Sequence, residues 1–225
     1  MTSPHAPWSL TGECIVAWAR GPGGRSDLPG DLHPLPGPCW LTAARFDQSP
    51  VGPYLEFAVG EPARLGARPG LCITTMVVDS TDSRAGGRVN WGFPKELGTL
   101  SWESRDEERI FHWEQRAISI RAVPSKPAVP VVFPMRALQR RADGMVVVPG
   151  RMWGRGRLSR VEVQVPADDP LASLAGSHRG ILVSGLHLVV DPARHPAGLT
   201  ATFRAPLRAP EPALSWGRQP SHPGD

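Results

Sequence analysis

Proline and glycine interrupt this chain so often that long helices are excluded. Its 225 residues include 26 prolines and 24 glycines. Inside a helix, a proline costs about 3 kcal/mol and a glycine about 1 kcal/mol relative to alanine. The segments left between them are short and rich in valine, isoleucine and threonine, which suit a pleated sheet. The pattern predicts a mainly β fold with a few short helices. Nothing in the composition divides the chain, so one domain is expected over residues 1–204. The remainder, 205–225, is rich in proline and is expected to be a disordered tail.

Along the chain, residues 1–10 read as an irregular arm and 13–20 as a strand. Residues 21–38 are a Gly/Pro loop. Two strands are expected at 39–46 and 54–61. Residues 71–79 (LCITTMVVD) are almost continuously apolar, as in a strand buried on both faces. Ser80-Thr81-Asp82 then offers an N-cap for a short helix through about Arg88, kept short by Gly86 and Gly87. Residues 89–97 read as irregular. Segments 98–104 and 108–123 form a hairpin across SRDEER. The four prolines of 124–134 keep that stretch out of a sheet interior. A second hairpin is read from 144–148 and 151–165, a short helix from Asp169-Pro170-Leu171, and final strands from 180–190 and 198–204. About ten strands with two short helices suggest a closed or nearly closed antiparallel β-barrel, since closure removes exposed edges.

Composition excludes several functions. No apolar run reaches 18 residues, so no membrane span is expected. MTSPHAPWSL has neither a basic nor an apolar leader region, so no signal peptide is read there. Cys14, Cys39 and Cys72 are scattered and form no CxxC, which argues against a zinc or disulfide framework and fits a cytoplasmic protein. The histidines, His112, His178, His187 and His195, show no metal-ligand spacing, and His187 in LHLVV reads as a core histidine. Arginines between Arg136 and Arg160 interleave with Trp153 and could touch nucleic acid. A net charge of only +4 makes a solvated surface the simpler reading, and no nucleic-acid partner is expected. No metal is assigned.

The basic residues carry the sharper signal. Twenty-three of the 25 are arginine, and only Lys95 and Lys126 are lysine. A lysine in such a chain is a candidate for work arginine cannot do, because arginine does not lose its proton in a protein. Lys95 lies in RVNWGFPKEL, among Trp91, Phe93, Pro94 and Leu97. At pH 7 a free lysine, with a pKa of about 10.4, is neutral in roughly one molecule in 2,500. Apolar surroundings disfavour the ammonium and enlarge that fraction. The neutral amine can attack a ketone and form a Schiff base. The resulting iminium draws electrons from the neighbouring carbon and eases loss of CO₂ or of a proton. The alternative for Lys95 is a stem that covers Trp91 with its head in water.

The segment AGGRVNWGFPKELG resembles the active-site segment of the acetoacetate decarboxylase family. That segment has a short helix, a Gly-Arg pair and then a lysine after proline. The resemblance covers residues 50–100 well and the rest of the chain loosely. It implies a single-domain acetoacetate-decarboxylase-like barrel in which Lys95 forms a Schiff base with a small keto acid. Acetoacetate decarboxylase is itself the standard example of a lysine activated by desolvation or a cationic neighbour, so that activation is carried over with the resemblance. Upstream, SPVGPYLEF resembles the family's Gly-x-Tyr-x-Glu element. This implies Glu56 as an acid/base and Tyr54 as a substrate contact. Arg88, Trp91, Phe93 and Glu96 complete the expected substrate-binding set. No cofactor is expected, because the iminium is the electron sink, and a homo-oligomer is implied.

Three departures stand beside the resemblance. The family's decarboxylases carry a second lysine where this chain has Glu96. Their N-terminal active-site arginine aligns near Glu13, and their second active-site glutamate near Leu41 and Thr42. The Schiff base is thus more firmly implied than the decarboxylation. A carbon–carbon lyase acting on a β-keto acid is the leading expectation. An aldolase or dehydratase working on a pyruvate-like substrate is the alternative, and a non-catalytic member that binds a small ligand is another.

Overall fold

The computed structural model describes residues 4–19 and 28–196. The expected strand 198–204 and the tail lie outside the described residues. In chain order the elements are β1 (Trp8–Ala19), β2 (His33–Pro34), β3 (Cys39–Gln48), β4 (Tyr54–Leu65), β5 (Arg68–Val78), α1 (Thr81–Trp91), β6 (Lys95–Leu97), β7 (Leu100–Arg105), β8 (Glu108–Trp113), β9 (Ile118–Pro124), β10 (Val129–Arg141), β11 (Gly144–Gln164) and β12 (Gly176–Val190). The fold is mainly β, as the Gly/Pro punctuation requires.

All twelve strands belong to one sheet, ordered β10-β5-β4-β3-β1-β12-β11-β9-β8-β7, with β2 on β4 and β6 on β5. A further pairing joins β10 to β11 along Val129–Arg141. Strand β10 meets β5 at the single parallel pair Ala137↔Leu71, and β6 also runs parallel to β5. The sheet is therefore mixed rather than wholly antiparallel, and β10 meets β5 through one residue pair only.

Alternation along the central strands feeds two apolar layers. Ile15, Phe57 and Val77 point into one, with Phe111, Trp113, Ile118 and Ile120 from β8 and β9. Phe57 lies 6.1 Å from Phe111 and 6.0 Å from Trp113, centroid to centroid. Cys14, Val16, Ala58, Met76 and Val78 point into the other, with residues of α1, β11 and β12. Strands buried on both faces read as continuous apolar runs, which explains the 71–79 segment. Asp79 itself lies beyond β5 and is exposed.

Several local expectations change. The arm at 1–10 is instead the start of β1 from Trp8, held by pairs from Trp8↔Val190 onward. The helix runs past Arg88 to Trp91, because Gly86 and Gly87 are buried and packing outweighs their low propensity. The prolines Pro130 and Pro134 do lie in a strand. On that stretch β10 pairs only with β11, so one of its edges needs no N–H donors. Segments 144–148 and 151–165 are one continuous strand, β11, and its hairpin partner is β10. The 108–123 segment splits at a short 3-10 turn, Glu114–Arg116. After Asp169, whose carboxylate caps the Leu171 N–H at 2.7 Å, only a 3-10 turn forms, Ala172–Leu174.

Gly12 marks a double irregularity: the register of β1 slips there against both β3 and β12. A Cβ at Gly12 would lie 1.9 Å from the Arg45 carbonyl oxygen, a backbone atom that cannot swing aside. Gly12→Ala is expected to destabilise the fold at or above the upper end of the roughly 1–3 kcal/mol seen for overpacking. Urea unfolding reads this directly, and a change under about 0.5 kcal/mol, the ordinary range of a surface substitution, would refute the close approach.

Candidate active site

The site begins with how α1 starts and stops. The Ser80 side chain accepts from the Ser83 N–H at 3.1 Å and caps the helix. That fixes the helical phase, so Ser83 and Gly87, four residues apart, lie on one face. Gly92 ends the helix in the left-handed region, φ 72°, with its N–H on the Arg88 carbonyl. Phe93, Pro94 and Lys95 then turn tightly, the Lys95 N–H donating to the Phe93 carbonyl at 2.8 Å. Lys95 enters β6 opposite Met76 of β5. The Gly-Phe-Pro-Lys run is thus a helix stop and then a turn that lays one lysine beside a buried strand.

Lys95 is 2% exposed. Its ammonium nitrogen Nζ donates to Glu56 Oε2 at 2.7 Å and to Ser83 Oγ at 2.9 Å. The Tyr54 ring centroid is 5.2 Å from Nζ, and the Tyr54 hydroxyl reaches Glu56 Oε2 at 3.5 Å. Tyr54 and Glu56, two residues apart on β4, share a face as expected. Burial, and then the charge of Glu56, hold the Tyr54 phenol well above its ordinary pKa, so it remains protonated. Asp79 supports the same strand by accepting the Leu55 N–H at 2.8 Å, and partial withdrawal of this surface carboxyl from water raises its pKa.

The other expected residues divide. Phe93 lines the cavity in front of Glu56. Trp91 packs behind it, 5.6 Å from Phe93 and 5.0 Å from Trp8, and donates to the Asp191 carbonyl. Arg88 and Glu96 are not in the cavity. They pair with each other at 2.5 Å on the surface, and Arg88 also donates to the Lys95 carbonyl at 2.7 Å. Both therefore brace the turn from outside, and Glu96 is turned away from the Lys95 amine, as alternation along β6 requires.

The cavity has a volume of about 140 Å³. Glu56 and Phe93 line it while Lys95 lies behind Glu56, so the carboxylate stands between the amine and the open space. The position aligned with the family's arginine, Glu13, faces the opposite layer. There Arg45 at 3.1 Å, Arg109 at 2.9 Å and Trp102 at 3.0 Å hold it. Its neighbour Cys14 lines the cavity instead, its thiol pushed up to about 12 by burial and by Glu13. Thr42 occupies the wall where the second glutamate would fall.

Sequence reasoning missed Ser83, Cys14 and Thr42. Ser83 alone left a trace, as the third residue after a helix cap. His187, expected in the core, is exposed and stacks on Trp153 at 5.2 Å. Most arginines of the 136–160 run are engaged in ion pairs, among them Arg157–Glu107 and Arg160–Glu162. Among the described residues no three His, Cys, Asp or Glu side chains cluster as metal ligands.

Gly87 is the fit test of this site. A Cβ there would lie 2.6 Å from both Cδ and Cε of Lys95, and the stem cannot retreat while Nζ is tied to Glu56 and Ser83. Gly87→Ala gains about 1 kcal/mol of helix propensity but displaces the amine. Misplacement of about 1 Å can cost roughly a hundredfold in rate. The variant is expected to stay folded and to lose reactivity at Lys95 on that scale, read as the rate of reductive trapping of a ketone. Wild-type trapping in Gly87→Ala would contradict the geometry.

The chain is similar to known proteins in sequence profile and in fold. The profile of the acetoacetate decarboxylase (ADC) family matches residues 9–123, just over half of the chain. No curated protein matches the sequence. Among solved structures, acetoacetate decarboxylase from Legionella pneumophila superposes with a TM-score of 0.66 at 17% identity, covering 88% of this chain and 90% of that one. The enduracididine biosynthesis enzyme MppR, complexed with the condensation product of pyruvate and imidazole 4-carboxaldehyde, gives 0.62 at 15%, covering 86% and 90%. An acetoacetate decarboxylase-like enzyme from Sphingomonas wittichii gives 0.61 at 15%, covering 84% and 92%.

Proposed function

The chain belongs to the acetoacetate decarboxylase family, and we infer from the Lys95–Glu56 pair that it is an enzyme forming a Schiff base with a keto acid. The observation that carries this reading is a buried lysine, 2.7 Å from a carboxylate that faces a cavity. In the reading, a proton passes from Lys95 Nζ to Glu56 along that hydrogen bond and frees the amine lone pair. Because proton and carboxylate stay together, the transfer leaves no net charge in the buried site. Glu56 then swings aside, and the amine adds to the substrate carbonyl. Glu56 gives its proton to the departing hydroxyl, and loss of that one water leaves the iminium and the Glu56 carboxylate.

Decarboxylation of a β-keto acid is the leading reaction. The electron pair of the bond to the carboxylate moves toward the iminium nitrogen, CO₂ leaves, and an enamine remains. Glu56, reprotonated by one proton from solvent, delivers that proton to the enamine carbon, and one water hydrolyses the resulting iminium to ketone and the Lys95 ammonium. An apolar wall favours this step, because a carboxylate stripped of water is destabilised relative to neutral CO₂.

One observation favours a second reading. Cys14 and Thr42, rather than an arginine and a second glutamate, line the wall on the strands beside Glu56, and among the described residues the only basic side chain lining the cavity is Arg136 at its far end. An enamine formed by proton loss to Glu56, then adding to an aldehyde, needs only the groups present. MppR, whose structure holds a pyruvate condensation product, has this fold.

The test is reductive trapping. The protein is incubated with acetoacetate or with pyruvate, borohydride is added, and the modified peptide is found by mass spectrometry. An adduct on Lys95 is expected, with CO₂ released from acetoacetate in the absence of borohydride. An adduct without CO₂ from a panel of β-keto acids would move the reaction to the aldol class. No adduct with any ketone would leave a non-catalytic ligand-binding member.

A further inference from the structure

The cavity is built for more than a three- or four-carbon acid. Register sets its long axis. Glu56 pairs with Ala44 and Val78 at one level, and Trp40, Gly60 and Ile73 form a level further along the same strands. Lys95 is level with Met76, and Leu71 is level with Ala137. Those two levels are about 16 Å apart along β5, at ~3.3 Å per residue. Between them the walls are apolar: Val16, Trp40, Ile73, Met152, Leu186 and Leu188. The volume of about 140 Å³ is close to that of an apolar cavity of about 150 Å³ able to hold benzene. Among the described residues only two charged side chains line this space, Glu56 and Arg136.

Arg136 marks the far end. There the cavity joins a second space of about 880 Å³, the two sharing Trp40, Leu71, Met135, Arg136, Pro149 and Gly150. The second space adds Arg68, Arg194 and His195 to its wall and, among the described residues, no Asp or Glu. His195 is engaged with Asp143 at 3.2 Å, and Arg136 gives one N–H to the Pro69 carbonyl at 3.0 Å. No ion pair joins Arg68, Arg136 or Arg194 to a carboxylate among the described residues. Neighbouring arginines differ: Arg140 is held by Asp31, Arg141 by Asp143 and Arg151 by Asp191. Guanidinium groups left without a carboxylate offer paired donors to an external carboxylate or phosphate.

We propose that the substrate is a ketone with an apolar stem of roughly twelve carbons, the length that about 16 Å requires, which fills the cavity and leads into the second space, and a terminal anion, its carbonyl at Lys95 and the anion among Arg136, Arg68 and Arg194. The carbonyl end of this assignment rests on the Schiff-base reading, whereas the stem and anion sites stand on the cavity alone. Two measurements separate them: borohydride trapping at Lys95, and the ligand-induced rise in melting temperature, which needs no covalent bond.

The probes are acetone, 2-tetradecanone, 13-oxotetradecanoate and 13-oxotetradecyl phosphate, applied to the full chain. Each methylene withdrawn from water favours binding about fourfold, so five of them amount to about a thousandfold. Half-saturation for trapping is expected to fall by about a thousandfold or more from acetone to 2-tetradecanone, and further, about tenfold, when either anion is added. The better of the two anionic ketones identifies the anion. In Arg136→Gln, and more so with Arg68→Gln added, the preference for the anionic ketones over 2-tetradecanone is expected to shrink by about tenfold. Equal trapping of acetone and 2-tetradecanone would overturn the stem site. An unchanged anion preference in the arginine variants would overturn the anion site. If nothing is trapped but 13-oxotetradecanoate still raises the melting temperature far more than acetone, the stem and anion sites hold and the carbonyl end fails with the Schiff-base reading.

Discussion

A Lys95→Met variant is expected to form no borohydride-stable adduct with any ketone and to lose turnover by about a thousandfold or more, the scale on which removal of a covalent nucleophile acts. Methionine keeps much of the stem that fills the space beside Gly87, so the effect isolates the amine. A second consequence is thermodynamic. Glu56, its side chain 14% exposed, loses its partner, and breaking a buried pair from one side costs roughly 3–5 kcal/mol. The Lys95→Met/Glu56→Gln double variant is expected to recover most of that loss, because an amide carries no charge to strand. Urea unfolding of the two single variants and the double measures this coupling. A Lys95→Met protein as stable as the parent would mean that the pair is not buried as described, and an adduct on another residue would move the nucleophile.

Glu56→Gln is expected to separate formation of the covalent bond from the later proton transfers. The amide is nearly isosteric, but it neither takes the Lys95 proton nor delivers one to carbon. Turnover is expected to fall by about 10²–10⁴-fold, the usual contribution of a positioned acid or base. Trapped adduct after long incubation is expected to persist, since the amine and the cavity remain and water takes the Lys95 proton more slowly in place of Glu56. The discriminating measurement is the ratio of trapped adduct to released product at matched substrate, which should rise sharply. Equal losses in trapping and turnover would reduce Glu56 to a group that only holds Lys95. Tyr54→Phe serves as the reference: its hydroxyl contacts Glu56 at the long distance of 3.5 Å, so a loss of less than about tenfold, the worth of a weak hydrogen bond, is expected.

Much of the site could be read locally, for a physical reason. A helix cap, a glycine stop and a proline turn are short-range devices, and Ser80, Gly92 and Pro94 act within a few residues of the α1–β6 turn that carries Lys95. The scarcity of lysine drew attention to Lys95 without any structure. The partner was less accessible: Glu56 lies 39 positions away in sequence, and only the resemblance of its segment to a family element brought it in. Ser83 was passed over because a serine early in a helix reads as ordinary.

Elsewhere local reading failed where a distant strand changed what a residue needs. Proline–glycine at 149–150 reads as a break, yet β11 runs through it because β10 pairs with it on one side while β12 begins only at Gly150↔Val190 on the other. Glu96 next to Lys95 reads as a threat to the amine, yet strand alternation turns it out to Arg88.

The sequence by itself determined the β class, the helix that carries Ser83 and Gly87, and the placing of one lysine after a tight turn. These come from backbone sterics and local hydrogen bonding, which do not depend on distant residues. Only the tertiary structure decided that Lys95 lies behind Glu56, that Glu13 turns away while Cys14 faces the cavity, and that arginines without a carboxylate partner gather at its far end. Those outcomes depend on the register between strands far apart in the chain, where a slip of one residue reverses every side chain.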